Sequence, residues 1–149
     1  MPTPQHCPEC GADWSGEQTC ETYFHQMLFW EAEYPAFGAE VHHLTVLCYH
    51  LQHPSLFSSD GLKEARRLLL EFVERGAAPA AVRQQNRTRV DSGRRDWKIK
   101  ATATSQGSYD RTIPWPLTAA DVVAAGSDHY CDNVRAWAQA IVETLKSIP

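Results

Sequence analysis

The chain is 149 residues long, 43% hydrophobic and 21% charged, with a formal net charge of -4 and a mean hydropathy of -0.43. That balance excludes a disordered polymer and a membrane-embedded chain, and the length suits one domain burying a single core. No run approaches the roughly 20 apolar residues of a membrane span, and the start, MPTPQHCPEC, has no charged or apolar leader, so we expect a cytoplasmic protein with no membrane partner.

The first element in chain order is a cysteine knuckle, HCPECG at residues 6–11. Gly11 tolerates positive φ, which turns backbone N–H groups toward the sulfurs, and the CxxC spacing lets Cys7 and Cys10 meet one ion. A redox pair is the weaker reading, because a redox CxxC opens a helix after a strand and only six residues precede Cys7. Five cysteines, an odd number without an export signal, argue against disulfides.

A helix is predicted from Cys20 through CETYFHQMLFWEAEYP, stopped by Pro35 and well buried, with large apolar residues on several sides. A second follows in FGAEVHHLTVLCYHLQHP, with Val41, Leu44, Leu47, Cys48 and Leu51 at helical spacing and Pro54 closing it. The short connection around residues 35–38 predicts an antiparallel helical hairpin over 20–53. The third helix, SSDGLKEARRLLLEFVERG, takes Ser59 or Asp60 as N-cap, presents Leu62, Ala65, Leu69, Phe72 and Val73 on one face, and stops at Gly76.

From Pro79 to about Thr88 a shorter helix is expected, and the chain then turns basic. Arg83, Arg87, Arg89, Arg94, Arg95, Lys98 and Lys100 outnumber Asp91 and Asp96, leaving five net positive charges there and -9 on the remainder. This segment, Arg83 to Lys100, can contact nucleic acid or an acidic protein, but a solvated loop is favoured. Trp97, Ile99, Ala101 and Ala103, then Tyr109, Arg111, Ile113 and Trp115, alternate with polar residues on either side of SQGS, which predicts a small β-hairpin. TAAD at 118–121 reads as a capping box opening a short helix that ends near Gly126. The last helix, from Asp128, places Tyr130, Val134, Trp137, Ala138, Ile141 and Leu145 on one stripe against the core. The expected fold is mainly α: a single-domain helical bundle over 1–149, with a zinc knuckle at 6–20 and the hairpin insertion between later helices.

There is no second CxxC to complete a zinc ribbon, so the other ligands must be single residues. Cys20 is nearest, at a helix start where the dipole favours a thiolate. Across a hairpin turning near residues 36–37, the position opposite Cys20 is close to 53, where His53 stands; His50 and His25 are rivals. His42 and His53 are eleven residues apart, about 16 Å along a helix, too far to share one ion.

These residues also carry a resemblance. CPECGA, a lone cysteine some ten residues on, and VHHLTVLCYHLQHP resemble a group of small bacterial proteins filed as a domain of unknown function, whose helix reads approximately VHxLTVxxYxxQHP. The matching positions are Cys7, Cys10, Cys20, His42, Leu44, Thr45, Val46, Tyr49, Gln52, His53 and Pro54, whereas His43, His50 and Cys48 fall where the pattern is free. The resemblance implies a fixed partner for His42 and brings no activity. WKIKATATSQGSY and YCDNVRAWA are also similar, without a role attached.

Outside the knuckle, His42, His43 and Glu40 face Glu31 and Glu33 across the proposed turn, a group able to bind an ion or do acid–base work but more often simply solvated. Asp128, His129, Cys131 and Asp132 read as capping and surface residues. No activating motif surrounds Cys48 or Cys131, so neither is expected as a nucleophile. The functional expectation is a non-enzymatic binding or regulatory module with a closed zinc site of Cys7, Cys10, Cys20 and His53. The alternative is a metalloenzyme with an open three-ligand zinc site or a His/Glu pocket around His42. A protein or small-ligand partner is not identified by any motif.

Overall fold

The computed structural model describes residues 6–14, 16–76, 80, 107–109 and 113–148. Among them are five α helices: α1 (Cys20–Glu33), α2 (Pro35–Leu51), α3 (Ser59–Glu74), α4 (Ala119–Ala124) and α5 (Tyr130–Lys146). A 3-10 turn, Pro54–Leu56, follows α2. The mainly helical expectation holds. The described chain groups into two compact units, residues 1–53 with 109–149, and residues 54–108.

In the larger unit, Thr19 caps α1 from an extended conformation, φ -122° and ψ 178°, with its N–H donated to Thr22 Oγ1 at 3.2 Å. Only one stripe of α1 is buried, namely Cys20, Tyr23, Met27 and Glu31. The expectation of a helix buried on several sides is therefore corrected: Phe29 is 59% exposed, and a carboxylate takes an interior place instead. The turn also differs from expectation. α1 ends at Glu33 and α2 begins at Pro35, so Tyr34 alone makes the connection, with its N–H bonded to Trp30 O at 2.8 Å. Pro35 starts α2 rather than merely stopping α1, because the first helical position needs no N–H donor and favours a fixed φ.

Helix α2 packs on α1 and on α5, and α4 packs on both α1 and α5. Its buried face, Val41, Leu44, Thr45, Leu47, Cys48, Tyr49 and Leu51, contains every apolar position predicted from the spacing. In α5 the predicted stripe is buried in full, with Val142 added. Thr118 and Asp121 form the predicted capping box, Thr118 N–H donating to Asp121 Oδ2 at 2.8 Å, and Gly126 follows α4 with φ +81°. At the start of α5 the expected caps are absent. His129 is the N-cap residue without a side-chain bond, and Asp128 and Asp132 are exposed.

Of the predicted hairpin, the first strand, the shorter helix from Pro79 and the basic segment lie outside the described residues, apart from Ala80 within the helix span. Tyr109, Ile113 and Trp115 are described and form no strand. Trp115 N–H reaches back to Ile113 O at 3.0 Å, a tight local turn that cannot belong to an extended ladder. Ile113 and Trp115 are nevertheless buried, and Tyr109 donates its O–H to Leu51 O at 2.5 Å. Alternation detected the burial and missed the conformation. The one bridge with both ends described is an antiparallel pair, His6 and Asp13, inside the knuckle.

In the smaller unit, α3 buries Leu62, Ala65 and Leu69, while Phe72 and Val73 are only partly covered. Gly107 N–H donates to Phe57 O at 2.7 Å, and a Cβ on Gly107 would come within 2.9 Å of Pro54 O, so the close approach requires glycine. The cap of α3 sits one residue earlier than expected: Ser58 accepts Gly61 N–H at 3.0 Å. Ser58→Ala is therefore expected to cost about 1 kcal/mol, or about 2–4 °C in Tm, and Ser59→Ala within about 0.5 kcal/mol of zero. Equal losses in thermal melts of the two variants would contradict this cap.

Candidate metal centre

The knuckle folds as its residues require. Cys7 N–H bonds Ala12 O and Gly11 N–H bonds Cys7 O, both at 2.9 Å, and Gly11 adopts φ +78°, a conformation that favours glycine. Cys10 N–H points at Cys7 Sγ at 3.5 Å. The loop is then tied to α1 by Tyr23 O–H, which donates to Asp13 O at 3.1 Å.

Cys20 is the first residue of α1, and its sulfur lies 3.5 Å from Cys10 Sγ. His53 follows the C-terminus of α2. The ligand atoms of Cys7, Cys10, Cys20 and His53 all lie within 4.8 Å of one another, and all four residues are buried. Zinc bonds of about 2.3 Å to sulfur and about 2.0 Å to nitrogen place tetrahedral donors about 3.5–3.8 Å apart; the Cys10 and Cys20 sulfurs stand at 3.5 Å, and the whole set lies within 4.8 Å.

His53 supplies the most telling detail. Its Nδ1 lies 2.6 Å from Tyr49 O, and since a carbonyl only accepts, that nitrogen carries the proton. The lone pair then belongs to Nε2, which is buried without a hydrogen-bond partner. A buried imidazole nitrogen left this way costs free energy unless something fills its lone pair, and a cation shared with three sulfurs would do so.

Charge within the cluster leads the same way. Hydrogen bonding from Cys10 and then Cys20 holds the Cys7 thiol far below its usual range, while the same neighbours, Cys20 first and Cys7 next, push Cys10 far above it. Burial opposes protonation of His53, yet the Cys20 and Cys7 sulfurs outweigh it and raise the group to about 10. Packed together without a cation, the donors cannot all adopt their ligating forms. A divalent ion would remove that conflict by replacing the shared protons.

The rival histidines lie elsewhere. His25 is exposed and only 3.9 Å from Glu21 along α1, and His50 bonds Val46 O through Nδ1 at 2.8 Å. His53 meets Cys20 as the expected mirror has it. Although Tyr34 alone makes the connection, Glu31 pairs with His42 and Phe24 stacks on Tyr49 at 4.2 Å, both about a midpoint between residues 36 and 37, and the same pairing sets Cys20 against His53. Cys48 is fully buried, and burial pushes its thiol well up. Cys131 is raised to about 11, chiefly by burial, so neither thiol is activated as a nucleophile.

His42 does have a fixed partner. Its Nδ1 lies 2.6 Å from Glu31 Oε1, and Tyr130 O–H donates to Glu31 Oε2. The Glu31 side chain is 6% exposed and that of His42 55%, so a buried carboxylate is anchored at both oxygens beneath a surface imidazole. Burial and the Glu31 carboxylate push the Tyr130 phenol up. Among the described residues, no group of three metal-capable side chains includes His42.

The sequence reading does not single out two residues that complete these sites. Trp14 donates its indole N–H to Cys20 Sγ at 3.4 Å. Gln52, fully buried, donates to Leu117 O at 2.7 Å and accepts Trp137 Nε1–H at 3.2 Å. Gln52 stands in the QHP stretch of the resemblance, which was a usable signal; Trp14 offered only its position between the knuckle and Cys20. No helix among the described residues is long and apolar enough to cross a membrane. No curated protein and no solved structure matches the chain. The model of a family of unknown function, DUF5946, matches residues 5–146, and the chain belongs to that family.

Proposed function

We propose that the protein is a zinc-binding, non-enzymatic module in which Cys7, Cys10, Cys20 and His53 close a structural site. The observation that carries this reading is the buried Nε2 of His53, its lone pair unpartnered beside three clustered thiols. A donor set of three thiolates and an imidazole favours zinc over the hard cations, which take oxygen ligands. Bound zinc would supply folding free energy by clamping the knuckle, the start of α1 and the end of α2 into one body. Four protein donors leave no position for water or substrate, which supports a binding or regulatory role over an open three-ligand enzyme. A reducing, cytoplasmic setting suits this chemistry, because it keeps all three thiols available.

Untagged protein is expected to carry about one zinc per chain, and absorption spectroscopy at the zinc edge to show three sulfurs and one nitrogen. A shell of fewer sulfurs with a water oxygen would favour the enzyme reading. Absence of stoichiometric metal, or a Cys7–Cys10 disulfide under reducing conditions, would remove the zinc proposal altogether.

A further inference from the structure

We propose that Trp14 is a positioning residue of the metal centre: its indole N–H holds the Cys20 thiolate in place and tempers the charge that Cys20 donates to the metal. This inference rests on the zinc reading above.

Within the knuckle a backbone donor serves a sulfur, Cys10 N–H facing Cys7 Sγ at 3.5 Å. Cys20 lies ten residues from Cys10, at the start of α1. Three thiolates around a divalent ion leave one negative charge in a buried site, and N–H donors to sulfur are the usual means of spreading it. Trp14 Nε1, at 3.4 Å, supplies a donor to Cys20. An indole nitrogen can only donate, so the bond has one sense, with the Cys20 sulfur accepting.

Trp14 is also held where it must be. On its N-terminal side, Asp13 is fixed through its carbonyl by Tyr23 of α1 at 3.1 Å and through its carboxylate by His6 at 2.7 Å. The half-buried ring therefore spans from the end of the knuckle to Cys20.

The test compares wild type with Trp14→Phe, which keeps an aromatic ring and removes the N–H, using Co2+ and Zn2+ as probes. If Trp14→Phe does not fold, benzothienylalanine at position 14 keeps the ring shape with sulfur in place of N–H. The variant is expected to bind Zn2+ about 10- to 100-fold more weakly. Its sulfur-to-Co2+ charge-transfer band should move to lower energy, because an unbonded thiolate gives up its electrons more readily. A merely structural role for the ring would leave that band in place. If wild type binds tetrahedral Co2+ and the variant has the same band and affinity, this inference falls while the zinc site stands. If wild type binds neither metal, both fall.

Discussion

His53→Ala is expected to abolish stoichiometric zinc binding and to remove most of the difference in Tm between zinc-loaded and chelator-treated protein. Ligand that binds only the folded state at about 1,000 times its Kd contributes about 4 kcal/mol, or about 8–16 °C in Tm for a domain of this size. His53 carries that effect through one atom, the buried Nε2, because Nδ1 is committed to Tyr49 O at 2.6 Å. His25→Ala and His50→Ala should retain affinity, since one side chain is exposed beside Glu21 and the other is turned back to Val46 O. Zinc affinity has to be measured beside the melts, because His50 is half-buried and its removal also disturbs packing. Retained affinity in His53→Ala, with loss in either rival, would show that the fourth ligand has been misassigned.

Gln52→Leu should destabilise the fold by about 2–5 kcal/mol while leaving zinc stoichiometry intact well below the melting transition. The substitution preserves much of the volume but strands the part-buried Leu117 C=O and the buried Trp137 Nε1–H, at about 1–3 kcal/mol each. Gln52 thereby links the end of α2 to α5 and to the segment entering α4, next to the proposed ligand His53 but not as a ligand itself. Chemical denaturation followed by zinc analysis separates the roles. An unchanged denaturation midpoint would mean that water satisfies both groups, and lost zinc in folded protein would mean that Gln52 positions His53.

The two variants also mark how far the sequence could be read. Neighbouring residues in QHP do unrelated work, and only the surroundings of each side chain reveal it. Local features were legible: the positive φ of Gly11, the capping box of Thr118 and Asp121, and the apolar stripe of α5 each depend on residues within a turn or two of one another. The grouping of Cys7, Cys10 and Cys20 with His53 was also anticipated: Tyr34 alone makes the connection, yet the side chains of α1 and α2 pair about a midpoint near 36–37, as Glu31 with His42 and Phe24 with Tyr49 show.

The sequence by itself determined the helical elements, the knuckle turn and a short list of candidate metal ligands, since periodicity, capping and CxxC spacing are local restraints. Only the tertiary structure decided which histidine leaves a lone pair facing the thiols, which carboxylate is buried, and which indole reaches Cys20. Glu31 reads as one of two acids in WEAEY, yet packing brings His42 and Tyr130 to its two oxygens. Those outcomes depend on donors and acceptors far apart in the chain, where burial makes every unpaired polar atom costly and the fold selects the partner that removes the cost.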